Sequence, residues 1–250
     1  MPIYDPDHVE YEITSGHIQV AMEDGTTLPA YWAHPTMGAK FPGVVLLHDW
    51  WGVTPMIRRM AMLFAQSGHY VIVPDLFNGK VAGTHAEALA LLEALGDTGY
   101  KRANTALGAL ETHHHCNGDV GVVGLGMGGS LAFEAAIVRA DLEAAVVVGG
   151  FPQRYLGHFK SANTPILAFY GAEDRFIARQ LVDKLRAELA ACKIDPPHEV
   201  VLLEGIGHDI FAEDLPESQR EIGRSAWHRI IDFFDNLLEG PNQPPEKKRY

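Results

Sequence analysis

A glycine-rich turn through Gly124, Gly126, Gly128 and Gly129, a carboxylate at Asp174 and an imidazole at His208 follow one another along the chain. An imidazole gives or takes a proton near neutral pH, and a carboxylate beside it fixes its tautomer and steadies the cation that forms. Residues 119–130 run from an apolar segment into glycines and on into a helix-like stretch, which reads as strand, sharp turn and helix. Two chemistries use that shape: a G-x-Nu-x-G elbow lifts a nucleophile above a sheet, and a G-x-G-x-x-G loop lets a pyrophosphate approach the backbone. Both templates fit these glycines. Under the elbow reading the nucleophile position is Gly126, which has no side chain to offer.

Such residues act together only if strand ends hold them. Segments 17–22 and 28–33 alternate across an acidic turn containing Gly25, a β-hairpin pattern at a sheet edge, and Pro29 suits an edge strand. The apolar run 43–48, a helical pattern closed by Gly68 and a second run at 70–75 make a βαβ unit, hence a parallel sheet. Residues 84–115 are helical in pattern with a break at 96–99. Strands follow at 120–123, 144–148, 165–170 and 198–203, and helices at 177–191 and 218–238. The expected organisation is one α/β domain over 17–238, preceded by an extension at 1–16 and followed by a proline-rich, frayed tail at 239–250. Ligands in open α/β sheets bind beyond the carboxyl ends of the strands. The residues expected there are His48, Asp49 and Trp50, then Asp75, Gly126, Asp174 and His208. Asp174 has a plainer role open to it, as cap of the helix near Ile177, which would leave His208 an ordinary loop residue.

Composition narrows the partners. A formal net charge of -12 opposes nucleic acid phosphates and anionic membranes. The first residues lack a basic segment followed by an apolar one, and no apolar run approaches the ~20 residues of a membrane span, so a soluble, cytoplasmic protein acting on a small molecule is expected. Cys116 and Cys192, far apart in sequence, read as reduced thiols. His113, His114 and His115 are consecutive on a helix end and point in different directions, so no metal site is expected there, and no cofactor elsewhere.

Five stretches together resemble the dienelactone hydrolase family: Leu47 to Val53, Pro74 to Phe77, Val123 to Gly129, Tyr170 to Asp174, and Gly207 to Phe211. The resemblance covers about residues 17 to 238. It implies an eight-stranded α/β-hydrolase fold, a mostly parallel sheet with helices on both faces, and action on small lactones or esters through a Cys-His-Asp triad. By position, Asp174 and His208 match the family's acid and base. Asp49 matches an acidic residue that helps control the thiol, and the backbone N–H groups of Trp50 and Met127 match the oxyanion hole. His48, Trp51, Phe77 and Phe211 are the expected pocket walls.

Three departures matter. The family's cysteine position is Gly126, so no thioester forms there. The arginine that follows the family's histidine is absent after His208, and the arginine after the Pro-Asp-Leu motif is Asn78, with Lys80 nearby. Both arginines serve a substrate carboxylate, so dienelactone itself is not the expected substrate. Ser130, one helical turn past the elbow, reads as a small packing residue, and Cys116 as lying at the opposite end of the sheet. Three functions compete: a hydrolase using a water activated by His208, a ligand-binding pseudoenzyme of the same fold, and a dinucleotide-binding oxidoreductase. The last rests on one G-x-G-x-x-G match without the ribose-binding acid that such sites carry.

Overall fold

The computed structural model describes residues 11–36 and 38–240. Its eight strands are β1 (Ile13–Ala21), β2 (Thr27–Pro35), β3 (Phe41–Leu47), β4 (Tyr70–Pro74), β5 (Cys116–Leu125), β6 (Ala144–Val148), β7 (Ile166–Gly171) and β8 (Glu199–Leu203). They form one sheet in the order β1-β2-β4-β3-β5-β6-β7-β8. β2 pairs antiparallel with both β1 and β4, and every other neighbouring pair is parallel. The expected α/β class is therefore found, and the hairpin does form the sheet's edge. Two details differ from expectation. The first strand begins at Ile13, and Pro29 stands in the second strand instead of the outermost one. Pairing between β2 and β4 starts only at Ala30 opposite Pro74, so proline's missing donor leaves no gap in that ladder. The expected tail lies outside the described residues from 241 onward, as do residues 1–10 of the expected extension.

Alternate residues of a strand face opposite sides of a sheet, and the core divides accordingly. Val45 and Leu47 of β3 belong to a cluster with Leu107, Leu110, Ala132 and Phe133. These last four come from α3 (Gly99–Glu111) and α4 (Met127–Val138). Val44 and Leu46 belong to a second cluster with Ile57, Met60 and Phe64 of α1 (Pro55–Gln66) and Trp227, Ile230 and Phe234 of α6 (Glu217–Leu237). The remaining α-helices among the described residues are α2 (His85–Leu95) and α5 (Arg179–Ala190). α1 shows why such helices form. The Thr54 side chain caps its start by accepting from Ile57, Pro55 occupies the first turn, and buried residues recur at 57, 60, 61, 64 and 65. With β3 to β7 running parallel, their carboxyl ends all open onto one rim of the sheet. No helix among the described residues is long and apolar enough to cross a membrane.

Candidate active site

The turn from β5 into α4 is tight because its glycines let backbone meet backbone. A Cβ on Gly128 would fall 2.2 Å from the carbonyl oxygen of Leu47, at the end of β3, and one on Gly124 would fall 2.1 Å from that of Gly128. Between them Gly126 adopts φ 51° and ψ -112°, a conformation that side-chain-bearing residues enter only under strain. A Cβ there would stand 3.5 Å from the Asp49 Cβ and 3.7 Å from His208 Nε2, with no closer neighbour. The backbone thus keeps an elbow's geometry, and the point where a nucleophile would begin is flanked by an acid and an imidazole.

His208 follows β8 and Asp174 follows β7. His208 Nδ1 lies 2.7 Å from Asp174 Oδ2, and the two side chains are only 17% and 1% exposed. The carboxylate accepts, so Nδ1 carries the hydrogen and Nε2 is left facing Gly126. Asp174 also accepts, through Oδ1, from the backbone N–H groups of Phe176 and Ile177 at 2.7 and 3.0 Å. One oxygen therefore folds the turn that leads toward α5 while the other orients the imidazole, so folding the turn and holding His208 do not compete. The N-cap position of α5 is Ala178, which offers no side-chain cap, so Asp174 is not the cap of that helix. Burial alone would push the His208 pKa down and the Asp174 pKa up. Their mutual hydrogen bond and charge outweigh burial in both, aided by Asp209 and Asp49 at His208 and by the backbone donors at Asp174, so His208 ends raised and Asp174 lowered.

Asp49 follows β3 and accepts the Trp51 N–H at 2.9 Å. Burial holds its carboxyl up at about 6; the Trp51 bond and His208 pull it down and Asp209 adds to the rise. The N–H groups of Trp50 and Met127 meet no acceptor among the described residues. Met127 is the first residue of α4, where donors are left over by the helix and the dipole favours negative charge.

These groups open onto a cavity of about 890 Å³. Asp49, Trp50, Trp51, Gly126, Met127, His208 and Phe211 all line it. Trp50 and Trp51 pack edge-on to one another and to His85. Two expected wall residues do not reach it. His48 is fully buried: Nδ1 is 2.6 Å from the Asp49 carbonyl, so it donates there, and Nε2 accepts the Leu76 N–H at 3.1 Å. Burial lowers its pKa, and this neutral imidazole ties the loop after β3 to the loop after β4. Phe77 is covered in turn, packing with Leu76 and Leu95 and edge-on to His48. A strand's end can be read from sequence, but the direction of the side chain leaving it cannot.

Among the cavity residues that escaped sequence reasoning are Phe151, Phe176, Glu134 and Tyr155. Phe176 and Phe151 flank the His208 ring at 5.1 and 5.8 Å between centroids. Phe176 stands two residues beyond Asp174, a spacing readable in the sequence, and is 55% exposed in the structure, whereas Glu134 and Tyr155 carried no such signal. Ser130 does more than pack: its Oγ accepts the Phe151 N–H at 3.0 Å. That commitment leaves it poorly placed as a substitute nucleophile. Cys116 and Cys192 are free thiols, and Cys116 opens β5 at the end opposite the turn. No group of three or more His, Cys, Asp or Glu among the described residues is arranged to hold a metal. A dinucleotide reading fares badly, since a pyrophosphate over Gly126 would meet Asp49.

Comparison with known proteins agrees with this geometry. The family model described as "Dienelactone hydrolase family" matches residues 28–238. The protein named usf from Aquifex pyrophilus is 26% identical over 228 residues, covering 86% of this chain and 96% of its own. The carboxymethylenebutenolidase of Rhodococcus opacus is 28% identical over 214 residues, covering 78% and 81%. Among solved structures, the dienelactone hydrolase of Anabaena variabilis superposes with a TM-score of 0.69 at 19% identity, over 92% of this chain and all of that one.

Proposed function

This chain belongs to the dienelactone hydrolase family, and from that premise we propose that it hydrolyses a small ester, lactone or related carbonyl compound through a water activated by His208, with no covalent intermediate. The observation that carries the proposal is the position of His208 Nε2, 3.7 Å from where a side chain on Gly126 would begin, with Nδ1 held by Asp174. A water in the space that glycine leaves open is within reach of Nε2. As Nε2 takes one proton, the hydroxide forms a bond to the substrate carbonyl carbon, and the negative charge that develops on its oxygen is received by the Trp50 and Met127 N–H groups. The imidazolium, steadied by Asp174, returns the proton to the departing alkoxide as the ester bond breaks. Water is consumed and acid and alcohol leave.

The proposal is tested with short aryl esters and lactones on the purified protein and on His208→Ala. Loss of the base is expected to lower kcat/KM by roughly 10²-fold or more. Equal rates would overturn the proposal.

A second reading, a binding protein that keeps the site without the chemistry, draws on the absent nucleophile at Gly126. The variant Gly126→Cys separates the two. Its Cβ meets only ordinary contacts, and the strained backbone costs about 1–3 kcal/mol. An inert parent that gains esterase activity on this change is the binding protein. A parent already dependent on His208 is the hydrolase.

A further inference from the structure

The mechanism uses one end of the cavity and leaves the rest unassigned. Gly126, Ser130 and Glu134 stand four residues apart, so they succeed one another along one face of α4, and all three line the cavity. At 1.5 Å per residue, Glu134 lies about 12 Å from the turn. Only one of its oxygens is engaged: Oε2 accepts the Tyr155 hydroxyl at 2.9 Å, and Oε1 has no hydrogen-bond partner among the described residues. Beside it, the Tyr100 hydroxyl is buried without a hydrogen-bond partner among the described residues. It is near enough to Glu134 and Arg139 to feel both charges. Tyr100 and Tyr155 also line the cavity. The far wall therefore presents an uncommitted carboxylate oxygen, with an unpartnered phenol oxygen buried behind the surface.

The charge lining the cavity as a whole is one-sided. Asp49, Asp97, Glu134, Asp209, Glu213 and Asp214 line the cavity against a single arginine or lysine, Arg154. Arg154 is turned toward Asp97 at 3.5 Å, and Glu213 is held by Arg59. Asn78, where the family has an arginine, accepts from Arg102 and does not line the cavity. A substrate carboxylate meets one exposed cation on this lining, Arg154, and several carboxylates that repel it.

We propose that the Glu134 wall is a subsite for a cationic group, so that the protein takes esters or lactones bearing an ammonium about 10 Å from the scissile carbonyl, a length set by the helix rise. The proposal rests on the hydrolase reading above for the reacting end and adds the chemistry of the other end. A neutral hydroxyl would gain only a hydrogen bond at Glu134. An ammonium gains that bond and the field of the unpaired acids, and an anion loses by the same field.

The test is a binding measurement, so it stands apart from turnover. Calorimetry on His208→Ala, which removes the proposed base, compares three phenylacetate esters whose six-carbon spacer spans the distance from the turn to Glu134: the 6-ammoniohexyl ester, the heptyl ester, which has the same shape without the charge, and the 6-carboxyhexyl ester. The ammonium ester is expected to bind about tenfold more tightly than the neutral ester, with the carboxylate weakest. That preference shrinks as salt rises from about 0.05 to about 0.5 M. Adding Glu134→Gln removes the preference for the ammonium ester while leaving the neutral ester within about twofold, and Glu134→Asp, which keeps the charge, retains it. Equal binding of the charged and neutral esters overturns the proposal, as does a preference that survives Glu134→Gln. A parent that fails to turn over any ester yet shows the preference would overturn only the hydrolase reading.

Discussion

Asp49 is set against the stability of the protein that carries it. Its carboxyl is buried beside His208 and held at about 6 against an ordinary 3.8, a gap that corresponds to roughly 3 kcal/mol. The sign follows from linkage. An acid whose folded pKa is raised binds its proton more tightly when folded. Stability is therefore lost as pH rises from the unfolded value toward the folded one, and the full cost stands above about 6. Asp49→Asn removes the ionisation and keeps an oxygen for the Trp51 N–H. It is expected to stabilise the protein by about 2–3 kcal/mol above pH 6, with the gain fading toward zero below pH 4. Urea unfolding at pH 7.5 and at pH 3.5 measures this, and an equal shift at both pH values would refute it. Asp174 and His208 run the opposite way. The lowered Asp174 contributes stability that is lost as pH falls through its folded pKa, and the raised His208 contributes stability that is lost as pH rises through its own.

At the scale of elements, the unit that matters is β5, its turn and α4, because every proposed group is placed relative to it. The helix start is pressed against the end of β3, where a Cβ on Gly128 would sit 2.2 Å from the Leu47 carbonyl and 2.6 Å from that of His48. Both obstacles are backbone, so neither can swing aside as a side chain would. Gly128→Ala is expected to cost about 3 kcal/mol or more, since it must move α4 off the sheet. Chemical denaturation reads the loss; a change of less than about 1 kcal/mol would show that the helix start has slack. This unit was legible because its signal is local: a glycine pattern between an apolar run and a helical one states the turn, and the order of Asp174 and His208 after it states the partners. What stayed hidden was set by packing between distant segments. His48 and Phe77 end strands just as Asp49 does, yet the turn Asp49 makes with Trp51 sends its carboxyl toward Gly126, while His48 is drawn down to Leu76. Glu134 and Tyr155 meet across 21 residues, and nothing in either local stretch announces the other.

Across the whole molecule the site is shared between parts of unequal stability. β5 is buried over most of its length and is flanked by β3 and β6, whereas β8 is half-exposed and pairs only with β7. α6 lies chiefly over β6 and β7, while β8 packs on α5 and meets α6 through Val201, Leu203 and the Arg229–Glu199 ion pair. The loop carrying His208 leaves β8 and is anchored to the end of β7, where Ala172 donates to Leu203 at 2.8 Å and Glu173 donates to Ile206 at 3.0 Å. An opening that releases β8 from β7 would therefore part His208 from Asp174 and leave the Gly126 turn intact. Local openings cost less where fewer apolar contacts and fewer paired neighbours hold an element. The backbone amides of 199–203 are accordingly expected to exchange with solvent at least about 10²-fold faster than those of 120–124, a difference of roughly 3 kcal/mol in opening free energy. Native-state hydrogen exchange under conditions where closing outpaces exchange measures both segments in one experiment. Equal protection would mean that the sheet opens only as one unit, and that the His208–Asp174 pair is as durable as the core beneath it.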